Sequence, residues 1–382
     1  MKNVLIYPCG TAEGLELNRA LGQMIHYRLY GLGDREGDPG ELAYLRYEGF
    51  LAVEDAKALE KLEEIVDRLS IDYIYPADPE AQRLLMANKS KLRATVVGSP
   101  HDTLVLCGDK RKVDALSVQL AASLDQTPVD PGSKKVEAEY EVLAFTDLQG
   151  RLRFSRALRS EDSSILECDG ESPVGRQLSD LAEALNRQLA FEGAWSFRVS
   201  HPVSANARIT GIESGYSARF AYYRNKGINI ATLSLFDRMG HQIEFREQQP
   251  GLRAMEYTQL RYRLEYEYDH VYIDLDDTLI VNGAVNPMLA AFIYQCRNKG
   301  KSVHLITKHR DVLHDTLERY RLLALFDQIV WLKSLDQKCL HMKNKRAIFI
   351  DDSFSERKQV SERLGIPVFE VSAVECLLDW RQ

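Results

Sequence analysis

Short apolar runs alternate with amphipathic stretches through the first third of the chain. Residues 4–7 read as a strand closed by the turn Pro8-Cys9-Gly10-Thr11-Ala12-Glu13-Gly14, residues 15–24 as a helix, and residues 26–32 as a second strand. A charged helix over 53–69 precedes a strand at 73–75, which Pro76-Ala77-Asp78 ends. A helix over 79–87 and a short strand at 95–97 follow. Strands that alternate with helices predict a parallel sheet with ligands at the carboxyl ends of its strands. Glu13 and Glu16 read as solvated acids compatible with the dipole of the first helix.

The pattern changes after residue 124. Residues 125–133 are rich in turn formers and read as a linker. Strands at 141–145 and 151–154 are joined by Asp147-Leu148-Gln149-Gly150, a hairpin signal. A helix over 174–189 and paired strands at 195–199 and 208–212 complete an α+β middle section, with Trp195 and Phe197 as core residues. In 252–269, Leu260, Tyr262, Leu264, Tyr266 and Tyr268 alternate at period two, which favours a strand over a connecting helix. Arg261 and Arg263 beside tyrosines hint at nucleic-acid stacking, but Glu265 and Glu267 cancel their charge.

The third section carries the densest chemistry. A strand at 271–273 runs into Asp274-Leu275-Asp276-Asp277-Thr278, which places two acids at a strand tip. Asn286-Pro287 starts a helix and Gly300 stands at its end. Leu289, Phe292, Ile293 and Cys296 form one apolar face between them. A strand at 302–306 ends at Thr307, a short one lies near 329–332, and another at 346–350 ends in Asp351-Asp352-Ser353. Ser353 and Glu356 have capping-box spacing. In a parallel sheet these tips converge, and four carboxylates together call for a hard cation such as Mg2+. Lys338 supplies a countercharge, with Lys333 as the alternative.

Composition narrows the classes. The chain has 382 residues, enough for two or three domains, with 45% hydrophobic and 27% charged residues, which excludes disordered and collagen-like chains. The net charge of −7 gives no general attraction to nucleic acid or anionic membranes. No apolar run approaches the roughly 20 residues of a membrane span, and the N-terminus lacks a signal-peptide pattern. The six cysteines, none in a C-x-x-C pair, read as reduced thiols of a cytoplasmic protein. His304, His309 and His314 lie five apart, which does not align imidazoles for zinc on a helix.

Two resemblances follow from these residues. The segment from about 268 to 382 resembles the haloacid dehalogenase superfamily of phosphohydrolases, through Asp274-Leu275-Asp276-Asp277-Thr278, Thr307, Lys338 and Ile348-Phe349-Ile350-Asp351-Asp352. The resemblance implies a Mg2+-dependent phosphatase. Asp274 would be nucleophile, Asp276 acid and base, Thr307 and Lys338 the phosphoryl-binding pair, and Asp274, Asp276 (through its carbonyl), Asp351 and Asp352 would lie around the metal. The stretches 278–307 and 307–338 are too short for a separate cap domain, so the front of the chain is the candidate lid.

The front resembles the N-terminal part of ATP-grasp enzymes, including carbamoyl-phosphate-synthase-like carboxylate–amine ligases. The matching residues are Val4-Leu5-Ile6-Tyr7 with Gly10, Tyr73-Ile74-Tyr75-Pro76-Ala77-Asp78-Pro79-Glu80, and Cys107-Gly108-Asp109-Lys110. The family's lysine-bearing strand and glycine-rich loop are replaced by the 125–135 linker, and its acid-x-Asn pair by Glu213-Ser214-Gly215 with Arg219. The resemblance thus implies a trimmed module, inactive as a ligase, with a ligand cleft near Gly10, Thr11, Asp78 and Arg219 or a scaffolding role only.

The resulting expectation is an α/β chain with three parts: a pre-ATP-grasp-like parallel sheet over 1–124, a truncated ATP-grasp-like α+β region over 125–255, and a phosphatase domain over 256–382. Its partner would be a small phosphorylated metabolite or a nucleotide. A bifunctional ATP-dependent carboxylate–amine ligase and phosphatase is the second reading, and a non-catalytic nucleotide-binding interaction protein the third.

Overall fold

A computed structural model describes residues 1–123, 138–161, 163–201, 208–248 and 251–381. The linker expected at 125–133 lies outside the described residues. The chain divides into two compact units, one spanning Met1–Thr258 with the C-terminal tip, the other Gln259–Trp380. It is mixed α/β, with parallel sheets in both units.

The first unit opens with a doubly covered parallel sheet. Its elements are β1 (Lys2–Tyr7), α1 (Ala12–Leu21), β2 (Tyr27–Gly33), β3 (Tyr47–Phe50), α2 (Ala58–Arg68), β4 (Tyr73–Pro76), α3 (Pro79–Ala87) and β5 (Thr95–Val96). The strand order is β3-β2-β1-β4-β5, so β1 sits centrally with Val4, Leu5, Ile6 and Tyr7 fully buried. A strand buried on both faces reads as a continuous apolar run, as this one does. Local chemistry sets the helix starts. Thr11 Oγ1 accepts from Gly14 N at 3.0 Å, and Asp78 Oδ1 accepts from Ala81 N at 2.6 Å with Pro79 in the first turn.

Helices α4 (His101–Cys107) and α5 (Lys110–Ser123) lead to an antiparallel sheet built from β6 (Ala138–Thr146), β7 (Leu152–Glu161), β8 (Ser164–Glu167), β9 (Gly193–His201), β10 (Arg208–Glu213) and β11 (Ala254–Met255), in the order β10-β9-β6-β7-β8-β11. Helices α6 (Pro173–Gln188), α7 (Phe220–Arg224) and α8 (Ile230–Arg238) belong to the same unit. The β6–β7 hairpin turns at 147–150. Gly150 adopts φ +75° there, and buried Asp147 accepts from Gln149 N, Arg151 N and Arg151 Nε. Helices α7 and α8 join the two sheets. Arg224 Nε donates to Glu16 Oε1 at 2.6 Å, and Tyr75 OH donates to the Ala231 carbonyl at 2.6 Å. Glu16 is therefore a buried ion-pair partner at 2% exposure, not the solvated acid that its place in an amphipathic helix suggested.

The second unit is a five-stranded parallel sheet ordered β16-β15-β12-β17-β18. Its elements are β12 (His270–Ile273), the short ribbon β13 (Ile280–Val281) and β14 (Ala284–Val285), α9 (Pro287–Asn298), β15 (Ser302–Thr307), α10 (Leu313–Arg319), β16 (Gln328–Trp331), β17 (Ala347–Ile350), α11 (Phe354–Leu364) and β18 (Val368–Phe369). Leu289, Phe292, Ile293 and Cys296 of α9 are all buried against one sheet face. Two local expectations fail. Residues 256–269 form no strand: Leu260 and Tyr262 are exposed, while Leu264, Tyr266 and Tyr268 pack against the core without a neighbouring strand to pair with. Ser353 stands at the N-cap of α11 but makes no capping bond, because its hydroxyl pairs with Ser355 Oγ at 3.0 Å.

Candidate functional site

In the second unit, parallel register brings the acids of separate strands together. Ile273 of β12 pairs with Leu305 of β15 and with Ile350 of β17, so Asp274 and Asp351, each one residue further on, emerge side by side. Asp274 N donates to the Ile350 carbonyl at 3.0 Å, which pins the two tips. Carboxylate oxygens of Asp274, Asp351 and Asp352 lie within 4.8 Å of one another. Lys338, on a single 3-10 turn after β16 and only 3% exposed, donates from Nζ to Asp274 Oδ1 and to Asp351 Oδ2, both at 2.6 Å. Lys333, the alternative lysine, is exposed, and its backbone N–H takes Asp336.

Burial dominates the electrostatics. It raises the Asp274 pKa to about 7 even with Lys338 alongside, and it raises Asp351 as well. Burial works against the Lys338 ammonium, but the two carboxylates more than offset it and its pKa is raised. Thr278 fixes the third acid: its hydroxyl donates to Asp352 Oδ1 at 3.2 Å and accepts from Asp352 N at 3.0 Å. Thr307 is fully buried at the end of β15, and its Oγ1 accepts from His309 N at 3.2 Å. The Asp276 carboxylate does not join the acidic cluster. It is half exposed and sits 2.9 Å from His309 Nδ1, while His309 Nε2 meets Thr316 Oγ1 at 2.8 Å. His309 was missed because its signal is only its place two residues past Thr307.

Three clustered oxygen donors on rigid strand ends suit a hard divalent cation. Such an ion would have to displace the proton that Asp274 holds up to about pH 7. Mg2+ affinity of the full chain is therefore expected to fall as the pH drops below about 7 and to level off above it. Calorimetric Mg2+ titrations from pH 5.5 to 8.5 check this.

The first unit holds a different site. A cavity of about 530 Å3 lies where the end of β4 and the start of α3 face α4, α5 and the end of β10. That volume falls within the roughly 300–1,000 Å3 of small-molecule sites. Asp78 lines it, but Gly10, Thr11 and Arg219 do not. The Gly10 loop is closed by its own neighbours: a Cβ there would stand 2.1 Å from Asp38 Oδ1, and buried Asp38 already accepts from Gly40 N at 2.7 Å. Thr11 donates to the Ala77 carbonyl at 3.0 Å, and Arg219 is held by Glu141 and Glu256. A sequence reading sees a glycine loop but not the side chain that fills it. Gly10→Ala is accordingly expected to cost about 1–3 kcal/mol through displacement of Asp38, read by urea unfolding.

The cavity lining carries both signs of charge. Arg83, Lys110 and Arg198 are the cations, and Glu13, Asp78 and Glu213 the anions. Arg198 and Glu213 pair with each other at 2.9 Å. Burial raises the pKa of Asp78 and of Glu13, with Glu213 and Glu141 adding to the effect on Glu13. Gln82 and Ser214 are each 5% exposed, and Gln82 Nε2 and Ser214 Oγ have no hydrogen-bond partner among the described residues. The Tyr216 hydroxyl in the same wall also has no partner among the described residues, as do side-chain atoms elsewhere in the chain, and buried groups of this kind are ordinarily satisfied by protein or by water.

No family model matches the chain, and no curated protein matches it. Solved structures do. A pyruvate carboxylase from Rhizobium etli, in a structure with the allosteric activator acetyl coenzyme-A, is 13% identical at TM-score 0.47 over 65% of this chain and 27% of that one. The biotin carboxylase domain of Hydrogenobacter thermophilus 2-oxoglutarate carboxylase, in complex with MgADP, ADP and bicarbonate, is 11% identical at TM-score 0.48 over 64% of this chain and 71% of that one. A single-chain, multi-domain long-chain acyl-CoA carboxylase is 13% identical at TM-score 0.46 over 63% and 28%. The chain thus spans about a quarter of the length of the full-length carboxylases it matches. The solved structures that the chain resembles are carboxylases and not phosphohydrolases, against the phosphatase expectation. Among the described residues no helix is long and apolar enough to cross a membrane.

Proposed function

We propose that the first unit is an ATP-grasp-like module that holds a small carboxylate substrate for ATP-dependent ligation, and that the second unit has a divalent-cation site of its own. This is the ligase half of the reading that the sequence ranked second. The observation that carries it is the cavity, a volume at the carboxyl end of a parallel sheet lined by charged and polar side chains. Asp78 is the sequence-derived site residue that faces it, and the cations Arg83 and Lys110 stand ready for a carboxylate. Asp274, Asp351 and Asp352 are the residues assigned to the cation, with Lys338 as the internal countercharge that holds the site together without one.

The test is ADP formation from ATP and Mg2+ by the full chain, offered pooled carboxylates and amines. ADP that appears only when a carboxylate is present, and that is lost in Arg83→Met, supports the reading. ATPase activity indifferent to every carboxylate, or no turnover at all, refutes it.

A further inference from the structure

We infer that His270 and His304 form an acid-sensitive latch in the second unit. A hydrogen bond between their facing imidazoles ties β12 to β15, and excess protons on the pair turn that tie into a repulsion that loosens the sheet there. The latch is independent of the ligase reading. It lies towards the amino-terminal end of β12, which His270 opens, whereas Asp274 follows the last residue of that strand.

Parallel register sets the pair up. Tyr272 of β12 stands opposite His304 of β15, and His270, two residues before Tyr272, shares its face of the sheet. His270 Nδ1 and His304 Nε2 come within 3.1 Å of each other. The ring centroids are 5.3 Å apart, so the two nitrogens lie between the rings and face each other. His304 also stacks on Tyr272 at 4.6 Å, and the Tyr272 hydroxyl accepts from Lys343 N at 3.3 Å and Asn344 Nδ2 at 3.1 Å. His270 is half-buried, but His304 is 7% exposed, so its stacked ring has little room to turn towards water.

Counting protons shows the sensitivity. In a neutral pair one proton sits between the facing nitrogens and the bond is made, whichever ring carries it. One added proton keeps the bond only if the His304 proton moves to Nδ1, a buried atom with no hydrogen-bond partner among the described residues. Two added protons set N–H against N–H and cation against cation. Relief from the surroundings is small. The groups facing His304 are Tyr272 and His270 on β12 and Asp327 and Gln328 on the β16 side. Asp327 already accepts from Val303 N at 2.7 Å and lies 3.7 Å from Arg297, while Asp269, next to His270, pairs with Arg346 at 3.1 Å. Burial and His270 outweigh Asp327 and Gln328, and the His304 pKa is lowered from its ordinary 6.5. The folded chain therefore binds fewer protons than the unfolded one. The stabilising contribution of the latch is complete above pH 6.5 and is lost as pH falls below it.

The experiment is hydrogen exchange of the full chain between pH 5 and 7.5 without divalent cations, corrected for the intrinsic pH dependence of exchange. Wild type is compared with the double variant His270→Asn and His304→Gln. Asparagine places a polar atom where Nδ1 stands and glutamine where Nε2 stands, so the variant keeps a hydrogen bond that does not titrate. Asp274 titrates in the same range in both chains and drops out of the comparison. Relative to the variant, protection of wild-type peptides spanning 268–273 and 302–307 is expected to fall below pH 6.5, by up to about tenfold per pH unit for one proton of difference. Peptides of the first unit are expected to agree between the two chains.

The same pH dependence in both chains overturns the inference. A second measurement needs no substitution and so does not depend on the variant folding. Nitrogen-15 spectra of the histidine-labelled wild type are expected to show a coupling between one Nδ1 and one Nε2 across their hydrogen bond at pH 7.5, and to lose it as the pH approaches 5. No such coupling at pH 7.5, or a coupling unchanged at pH 5, contradicts the latch.

Discussion

Lys338→Met is expected to destabilise the second unit by about 3–5 kcal/mol at pH 8 in the absence of divalent cations. The ammonium lies 2.6 Å from both Asp274 and Asp351, at 3% exposure, and its loss strands two buried carboxylates. The cost depends on pH with a definite sign. Asp274 has a folded pKa raised to about 7 from the ordinary 3.8, so the folded chain binds more protons than the unfolded one between those values. Stability contributed by this group is therefore present at low pH and is lost as pH rises through about 7. At pH 5 the stranded acid takes a proton, and the penalty shrinks. Saturating Mg2+ is expected to restore much of the loss at pH 8, because a cation replaces the missing charge. Thermal scans of wild type and variant at pH 5 and 8, with and without Mg2+, read all four conditions. An unchanged melting temperature at pH 8 without metal contradicts this view of the cluster.

Trp195→Ala is expected to cost the first unit about 3–5 kcal/mol, as truncation of a fully buried aromatic does. The indole stacks on Phe191 with centroids 4.0 Å apart and on Phe197 at 5.9 Å. Its Nε1 donates to Thr146 Oγ1 at 2.9 Å, and that hydroxyl donates to Asn186 Oδ1 at 2.6 Å, so the ring also anchors a polar chain between β9, β6 and α6. Trp195→Phe keeps most of the packing but leaves Thr146 without its donor, at about 1 kcal/mol. Urea unfolding separates the two, and a cost below 1 kcal/mol for the alanine variant contradicts the packing argument.

Both examples show where the sequence was legible. Parallel strands can be read from residues 4–7, 271–273 and 346–350 because burial on both faces demands unbroken apolar runs, and the residue that follows such a run must lie at the sheet edge. The proximity of Asp274 and Asp351 is thus a consequence of register, visible before any coordinates. Helix starts were legible after Asp78 and at Asn286-Pro287, where the side chains of Asp78 and Asn286 accept from the first-turn amides. At Ser353 the same logic failed, since Ser355 competes for the hydroxyl. The alternation at 260–268 misled because period two shows one packed side, whereas a strand also needs a partner for its backbone.

Long-range pairing was the least legible. Glu16 looked solvated because its counter-ion, Arg224, lies 208 residues away. Gly10 looked like a ligand loop because Asp38, which closes it, sits in a separate turn. Gln82 and Arg83 carried no motif, and Ser214 entered only as the middle of Glu213-Ser214-Gly215, where the acid-x-Asn pair is not matched. They form a site only because α3 and the end of β10 meet across one cavity. The choice of Lys338 over Lys333 likewise needs the turn after β16, which buries one and leaves the other in solvent.

The most direct measurement is the coupled detection of ADP from the full chain supplied with ATP, Mg2+ and a carboxylate panel. The account expects ADP release that requires a carboxylate and falls at least tenfold in Arg83→Met. Release that ignores the carboxylate, or a folded, Mg2+-loaded chain that neither binds nor turns over ATP, would contradict it.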